Sequence, residues 1–184
     1  MTATAVTNQC PLGDWFLTQS GKRFWPLSPD PDNITIEDIA HALSHVCRYG
    51  GHCNPFYSVA QHSVHVSYLV PKEKALLGLL HDATEAYVGD MVRPLKYAIP
   101  QYQAIEDGVW KAVAKRFVLP EAKPTSDVDV KLADDVALMT ERRDIMPKST
   151  HEWSVKAMPD SERITPLSSK LAKNLFLNRY CELI

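Results

Sequence analysis

Apolar positions recur at helical spacing along most of the chain, and the breaks between them are made of proline, glycine and capping residues. The exception comes first. Residues 15–27, WFLTQSGKRFWPL, set aromatic-rich segments on either side of Ser20-Gly21, a turn signal that predicts a short β-hairpin. A loop dense in proline and aspartate (28–33) follows. A helix is then expected with Thr35 as N-cap and Asp38 three residues on, carrying Ile39, Leu43 and Val46 and stopping at Gly50-Gly51. Ser58 is placed to cap the next helix, SVAQHSVHVSYLV, which Pro71 ends while serving as first residue of the one after.

That following helix, expected over 72–88 and closed by Gly89, holds the densest apolar run of the chain. Leu76, Leu77, Leu79 and Leu80 lead into His81, Asp82 and Glu85. Further on, Pro94 and Pro100 bracket a short segment, and residues 102–117 show an apolar stripe at 105, 109, 113 and 117. Thr125 or Ser126 is expected to cap a helix over 128–145 whose buried face is Val128, Leu132, Val136 and Met139. Residues 148–165 have little periodicity, and a last helix over 167–181 carries Leu171, Leu175 and Leu177. The pattern predicts an all-α fold with a small N-terminal β-hairpin, organised as a flexible tail (1–14) and a single domain (15–184).

Composition narrows the partners more than the fold. With 184 residues, 45% hydrophobic and 23% charged, the chain has enough length for one real core. A formal charge of −2 argues against a nucleic-acid partner, since phosphate backbones recruit basic faces. No run approaches a membrane span, and the N-terminus has neither a basic start nor an apolar signal core, so a soluble cytoplasmic protein is expected. Four scattered cysteines without a C-x-x-C pair predict free thiols.

The chemistry is concentrated where the apolar run ends. On a helix, Glu85 lies four residues after His81 and three after Asp82, so all three can point from one side. Imidazole plus carboxylate suits a divalent metal, and a second carboxylate is free to handle a proton. This combination points to a metal-dependent hydrolase. On the preceding helix, His62 can face His81 across an antiparallel pair, with His65 one turn further along as competitor. Asp134 and Asp135 sit together in KLADDVAL, and periodicity alone does not separate them.

The order of His62, the adjacent His81-Asp82 and a distant aspartate resembles the HD-domain phosphohydrolase superfamily. HDATEAYVGD followed by RPLKY, with KLADDVAL downstream, is more closely similar to its 5′-deoxynucleotidase branch and the phage-type deoxynucleotide (dATP) phosphohydrolases. The resemblance covers residues 36–143 and implies an HD-domain helical bundle. It implies one divalent ion (Co2+, Mn2+, Zn2+ or similar) held by His62, His81, Asp82 and Asp134. It also gives Glu85 the task of orienting or deprotonating the attacking water, Asp90 a contact to deoxyribose, and Arg48 the phosphate. Tyr49 stands where the deoxynucleotidases carry a tryptophan that packs on the sugar.

The residues themselves add His52, a candidate donor or leaving-group acid, and Lys96, a candidate phosphate contact. No histidine lies between Asp82 and Asp134, which favours a single ion. The expected function is removal of phosphate or polyphosphate from a deoxynucleotide (mono- or triphosphate, dATP included) by attack of metal-bound water. The alternatives are another small phosphate ester or alarmone, a non-catalytic nucleotide sensor, and a zinc module built on His41, His45, Cys47, His52 and Cys53. The apolar stripes on 102–117 and 167–181 would serve a homo-oligomer contact or the core equally well.

Overall fold

The structure is a computed structural model that describes residues 13–184, so most of the expected 1–14 tail lies outside the described residues. The hairpin forms where the turn signal places it. Strands β1 (Phe16–Leu17) and β2 (Arg23–Phe24) pair antiparallel with Phe16 opposite Phe24. It is tied down by one buried carboxylate: Asp38 accepts from the Ser20 backbone N–H and hydroxyl at 2.7 Å each and from the Thr35 hydroxyl at 2.8 Å. Thr35 Oγ1 accepts in turn from the Asp38 N–H, which makes it the N-cap of α1 (Ile36–His45). Burial alone would raise the Asp38 pKa; the hydrogen bonds from Ser20 and Thr35 hold it below its ordinary value. Beyond this hairpin every regular element among the described residues is helical, as the pattern predicts.

Helix α1 stops earlier than the Gly50-Gly51 signal suggested. Val46 is extended, and Cys47 forms an isolated antiparallel bridge with Ser58 that pulls the chain out of the helix. Arg48–Gly51 then make a tight 3₁₀ turn in which Tyr49 (φ 57°) and Gly50 (φ 58°) are left-handed. Helix α2 (Val59–Leu69) is capped by Ser58, whose hydroxyl accepts from the Gln61 N–H. It packs against α1 and against three elements described below, so it is the central rod of the body.

The expected continuous helix over 72–88 is broken. Pro71 precedes a 3₁₀ turn, Lys72–Lys74, and is not the first residue of a long helix. Helix α3 (Ala75–Leu80) follows, then residues 81–84, then the single turn α4 (Glu85–Val88). The reason is local. His81 Nδ1 lies 2.8 Å from the Gly78 carbonyl, the acceptor a continuing α-helix would offer to residue 82. The chain answers with tighter i→i−3 bonds, Ala83 N–H to Leu80 and Glu85 N–H to Asp82. Gly78 also sets how closely α3 meets α2, since a Cβ there would fall 3.0 Å from Val70 Cγ2 and 3.3 Å from Ser67 Cα.

Helices α5 (Arg93–Ala98) and α6 (Pro100–Phe117) follow, α6 burying Val109, Trp110 and Val113. Helix α7 (Val128–Asp144) is capped by Asp127, which accepts from the Asp129 and Val130 N–H groups, and not by Thr125 or Ser126. Its buried face is Val130, Ala133, Ala137, Thr140 and Glu141, while Val128 is 79% and Leu132 58% exposed. The expected stripe chose the large side chains; the helix instead turns its small ones inward, where they let it press against α2, together with Glu141, which meets His62 of α2, and Thr140, which bonds to Val136 and Asp160. Helix α8 (Ser169–Leu183) lies across α1, α2 and α3. It buries Ala172 and Phe176, with Leu175 and Leu177 partly buried and Leu171 turned to solvent.

Between α7 and α8 the chain has no regular structure, as expected, yet side chains strap it to the body. Asp144 accepts from Arg143, from Arg163 Nη1 at 2.7 Å and from the Ile164 N–H at 3.0 Å. His65 Nε2 meets Asp160 Oδ2 at 3.0 Å, the Asp160 N–H donates to Thr140 Oγ1, and Gln61 holds both Thr165 and Leu167. The bond from Arg143, against the cost of burial and with help from Ile164 and Arg163, holds the Asp144 carboxyl well below the usual carboxylate range. A depressed carboxylate contributes stability above its unfolded pKa and loses it as pH falls through the folded one. Asp144→Ala is therefore expected to cost about 1–3 kcal/mol at neutral pH. In urea denaturation the gap to the wild type should narrow from about pH 4 downwards; a constant gap would count against the clamp.

Among the described residues no helix is long and apolar enough to cross a membrane, and Cys47, Cys53 and Cys181 are free thiols.

Candidate metal centre

His62 is fully buried in the first turn of α2. Its Nδ1 lies 2.6 Å from Glu141 Oε1, which fixes the ring and leaves Nε2 facing inward. His81 is fixed the same way by the Gly78 carbonyl, and its Nε2 comes within 3.3 Å of His62 Nε2. Asp82 Oδ2 lies 3.2 Å from His81 Nε2 and 3.6 Å from His62 Nε2. One donor atom from each of His62, His81 and Asp82 falls within 4.8 Å of the others, so this group could hold a metal ion. From α7, Asp134 Oδ1 reaches His62 Nε2 at 3.4 Å.

The structure separates the pairs that the sequence left open. Asp134 faces the histidines, while Asp135 pairs with Lys131 one turn back on its own helix. His62 is in the cluster, while His65 belongs to the strap through Asp160. Among the described residues, His41, His45, Cys47, His52 and Cys53 bring no three donors together. His45 Nδ1 lies 2.8 Å from the His41 carbonyl instead, and the sulfurs of Cys47 and Cys53 stand 3.6 Å apart.

The donor set and its charges fit a cation. Burial, with the charges of Asp82 and then Asp90 beside it, raises the Glu85 carboxyl well above its ordinary value, and its buried Oε2 has no hydrogen-bond partner. Burial also raises Asp90, with Asp82 adding to the effect. Asp82 shows the opposite behaviour: against its burial, His81, His62 and Arg48 hold it far below the usual range. Asp134 is likewise lowered against its burial by His62 and His81. Burial and Arg48 push His62 down, but Glu141 and Asp134 outweigh them and lift it to about 9. Imidazole and carboxylate donors, with further carboxyls crowded nearby, are ligand types that divalent ions of the hard-to-borderline class accept.

Glu141 is the residue that sequence reasoning missed. Fully buried, it accepts from Arg48 Nη2 at 3.1 Å and Nε at 3.4 Å, and from the Tyr49 hydroxyl at 2.5 Å, besides its contact with His62. Against burial, Arg48 and then His62 lower its carboxyl to about 2. The signal that could have found it is its spacing: seven residues after Asp134, it shares that residue's face of α7 with Ala137 between them.

A cavity of about 690 Å³ opens over the cluster. Arg48, Tyr49, His81, Asp82, Glu85, Asp90, Lys96 and Asp134 all line it, and Lys96 is paired with Glu106 at 2.7 Å. Arg48 reaches into it with Nη1 3.7 Å from Asp82, while its guanidinium lies over the Tyr49 ring at 5.3 Å. His52 does not join them. It closes the turn through its backbone N–H to the Tyr49 carbonyl, and its side chain is exposed and outside the cavity. Trp153, which the sequence reading passed over, enters the cavity from the strap.

Fold and site together define an all-α protein with a small β-hairpin and a histidine–aspartate cluster that could hold a metal ion. The chain is 41% identical to the uncharacterized protein YfdR of Escherichia coli (strain K12) over 169 residues, covering 90% of this chain and 93% of that one. It is 36% identical to the uncharacterized protein RCAP_rcc00048 of Rhodobacter capsulatus over 169 residues, covering 85% and 86%. It belongs to the family these proteins form. No family model matches the chain.

Proposed function

We propose that the protein is a metal-dependent phosphohydrolase that removes phosphate or polyphosphate from deoxynucleotides. The observation that carries this reading is the convergence of His62, His81, Asp82 and Asp134 beside a buried, unpartnered Glu85 carboxyl, in a cavity that also presents Arg48. The order of these residues along the chain is that of the HD-domain phosphohydrolases, which supports the same reaction.

In this reading His62, His81, Asp82 and Asp134 hold one divalent ion such as Co2+, Mn2+ or Zn2+. When bound, the ion supplies Lewis-acid polarisation of a phosphoryl oxygen and lowers the pKa of water. Glu85 accepts the proton of the water that attacks phosphorus. Arg48 offers Nη1 to the phosphate while Glu141 keeps its Nε and Nη2 occupied and its plane fixed. Asp90 takes a sugar hydroxyl, the exposed part of the Tyr49 ring borders the sugar, and Lys96 adds positive charge to the phosphate end.

The test is phosphate release from a panel of deoxy- and ribonucleotide mono- and triphosphates with added manganese, cobalt or zinc, beside an Asp82→Ala control. Metal-dependent release that favours deoxyribose and disappears in the control is the expected result. Release from no nucleotide by a protein that binds the ion would overturn the proposal and direct attention to other phosphate esters.

A further inference from the structure

Trp153 is an aromatic side chain that the fold itself does not use. It belongs to neither of the buried hydrophobic clusters, although a tryptophan is the largest apolar group the chain has to bury. It stands in HEWSVK, where His151, Glu152, Ser154 and Lys156 are all exposed, and it is itself half-buried against the cavity. Its placement is enforced from α7. The Arg142 guanidinium lies 5.3 Å from the ring centroid and also donates to the His151 carbonyl at 2.9 Å, so one side chain fixes both the ring and the strap beside it.

Of the other aromatic groups at the cavity, Tyr49 and Trp110 are committed elsewhere, while Tyr97 stands largely in solvent, 69% exposed. Tyr49 gives its hydroxyl to Glu141 and a face to Arg48, and its ring centroid is 6.1 Å from that of Trp153. Trp110 is almost fully buried, with its indole N–H on the Ala122 carbonyl. The cavity lining thus combines two chemistries: charged groups, Arg48 and Asp82 among them, and apolar side chains, Trp153, Leu138 and Val155 among them. A phosphate ester bearing a flat ring matches that division, because stacking on an aromatic face rewards any planar base without reading its edges.

We propose that Trp153 is the platform on which the substrate's nucleobase stacks, and so a specificity-determining residue. This rests on the deoxynucleotide reading of the site, and two kinds of measurement keep them distinguishable. In steady-state kinetics, Trp153→Ala is expected to raise KM for a deoxynucleotide about tenfold with kcat little changed. Trp153→Phe should restore most of the loss. Deoxyribose 5-phosphate, which lacks the base, should be turned over equally by all three proteins. Equal losses on both substrates, or no loss on the nucleotide, would overturn the platform and leave the hydrolase standing.

The second measurement does not depend on turnover. Deoxynucleotide added to the wild-type protein, with or without a divalent ion, should quench tryptophan emission, and Trp153→Phe should abolish the change although Trp15, Trp25 and Trp110 remain. Quenching without hydrolysis would support the platform and sink the phosphohydrolase reading. Emission unmoved by any nucleotide, or quenching that persists in Trp153→Phe, would overturn the platform.

Discussion

Glu85→Gln is expected to leave the metal in place and remove turnover by about 10²- to 10⁴-fold, the range of a lost general base. Glutamine keeps the size of the side chain and loses only its capacity to take a proton. The side chain lies outside the group His62, His81 and Asp82, so bound metal per chain should be unchanged. Stability should not fall either. The wild-type carboxyl is buried with one oxygen unpartnered, and burial with Asp82 and Asp90 beside it already favours its uncharged form, so a neutral amide of the same size suits the same place. Metal analysis and kcat on the same preparation decide the matter. Retained turnover would remove Glu85 from the mechanism, and lost metal would make it a ligand.

Glu141→Ala should do the most damage of any substitution outside the ligands themselves. It strands three donors at once: the buried Arg48 guanidinium, the Tyr49 hydroxyl and His62 Nδ1. Breaking a buried ion pair by removing one partner costs about 3–5 kcal/mol, because the remaining charge is left without compensation in the interior. Metal affinity should fall about 10- to 100-fold, the usual effect of losing the group that orients a ligating histidine. Glu141→Gln should keep part of the stability, since its carbonyl still accepts from one donor. Urea denaturation and metal titration measure the two effects separately. A variant as stable as the wild type, with unchanged affinity, would show that the convergence on this carboxylate is idle.

What the sequence disclosed and what it withheld divide along physical lines. The hairpin and the caps Thr35 and Ser58 were legible because each depends on a few neighbouring residues. That the helix of His62 and His65 lies against His81 followed from a short antiparallel connection, while preferring His62 to His65 and Asp134 to Asp135 needed the family resemblance. The break at His81 was hidden, since it arises from a side chain taking the carbonyl that the helix would have used. The buried face of α7 was misjudged because large apolar residues were expected inside, whereas the close approach to α2 selects alanines. Glu141 escaped for a related reason: a glutamate before two arginines reads as a solvated charge until its partners from α2 and the 48–51 turn are in place. His52 erred in the other direction, as its spacing from Arg48 promised a shared loop that the tight turn directs outward.

The strap gives this architecture a separation between chemistry and choice. The side chains that would hold the metal stand on α2, on α7 and on the short link between α3 and α4, all packed around one core, where a change in one disturbs the rest. Residues 145–168 hang from that core at a few anchor points, Asp144, Thr140, Arg142, Arg143, His65 and Gln61, and between them the backbone follows no regular ladder that a substitution would break. Sequence drift can therefore accumulate in the strap while the helices hold still. Members of this family that keep the anchors and vary the stretch around Trp153 are expected to share one reaction and to diverge in what they accept. Exchanging that stretch between two of them should move preference with it and leave the rate on a base-free substrate alone.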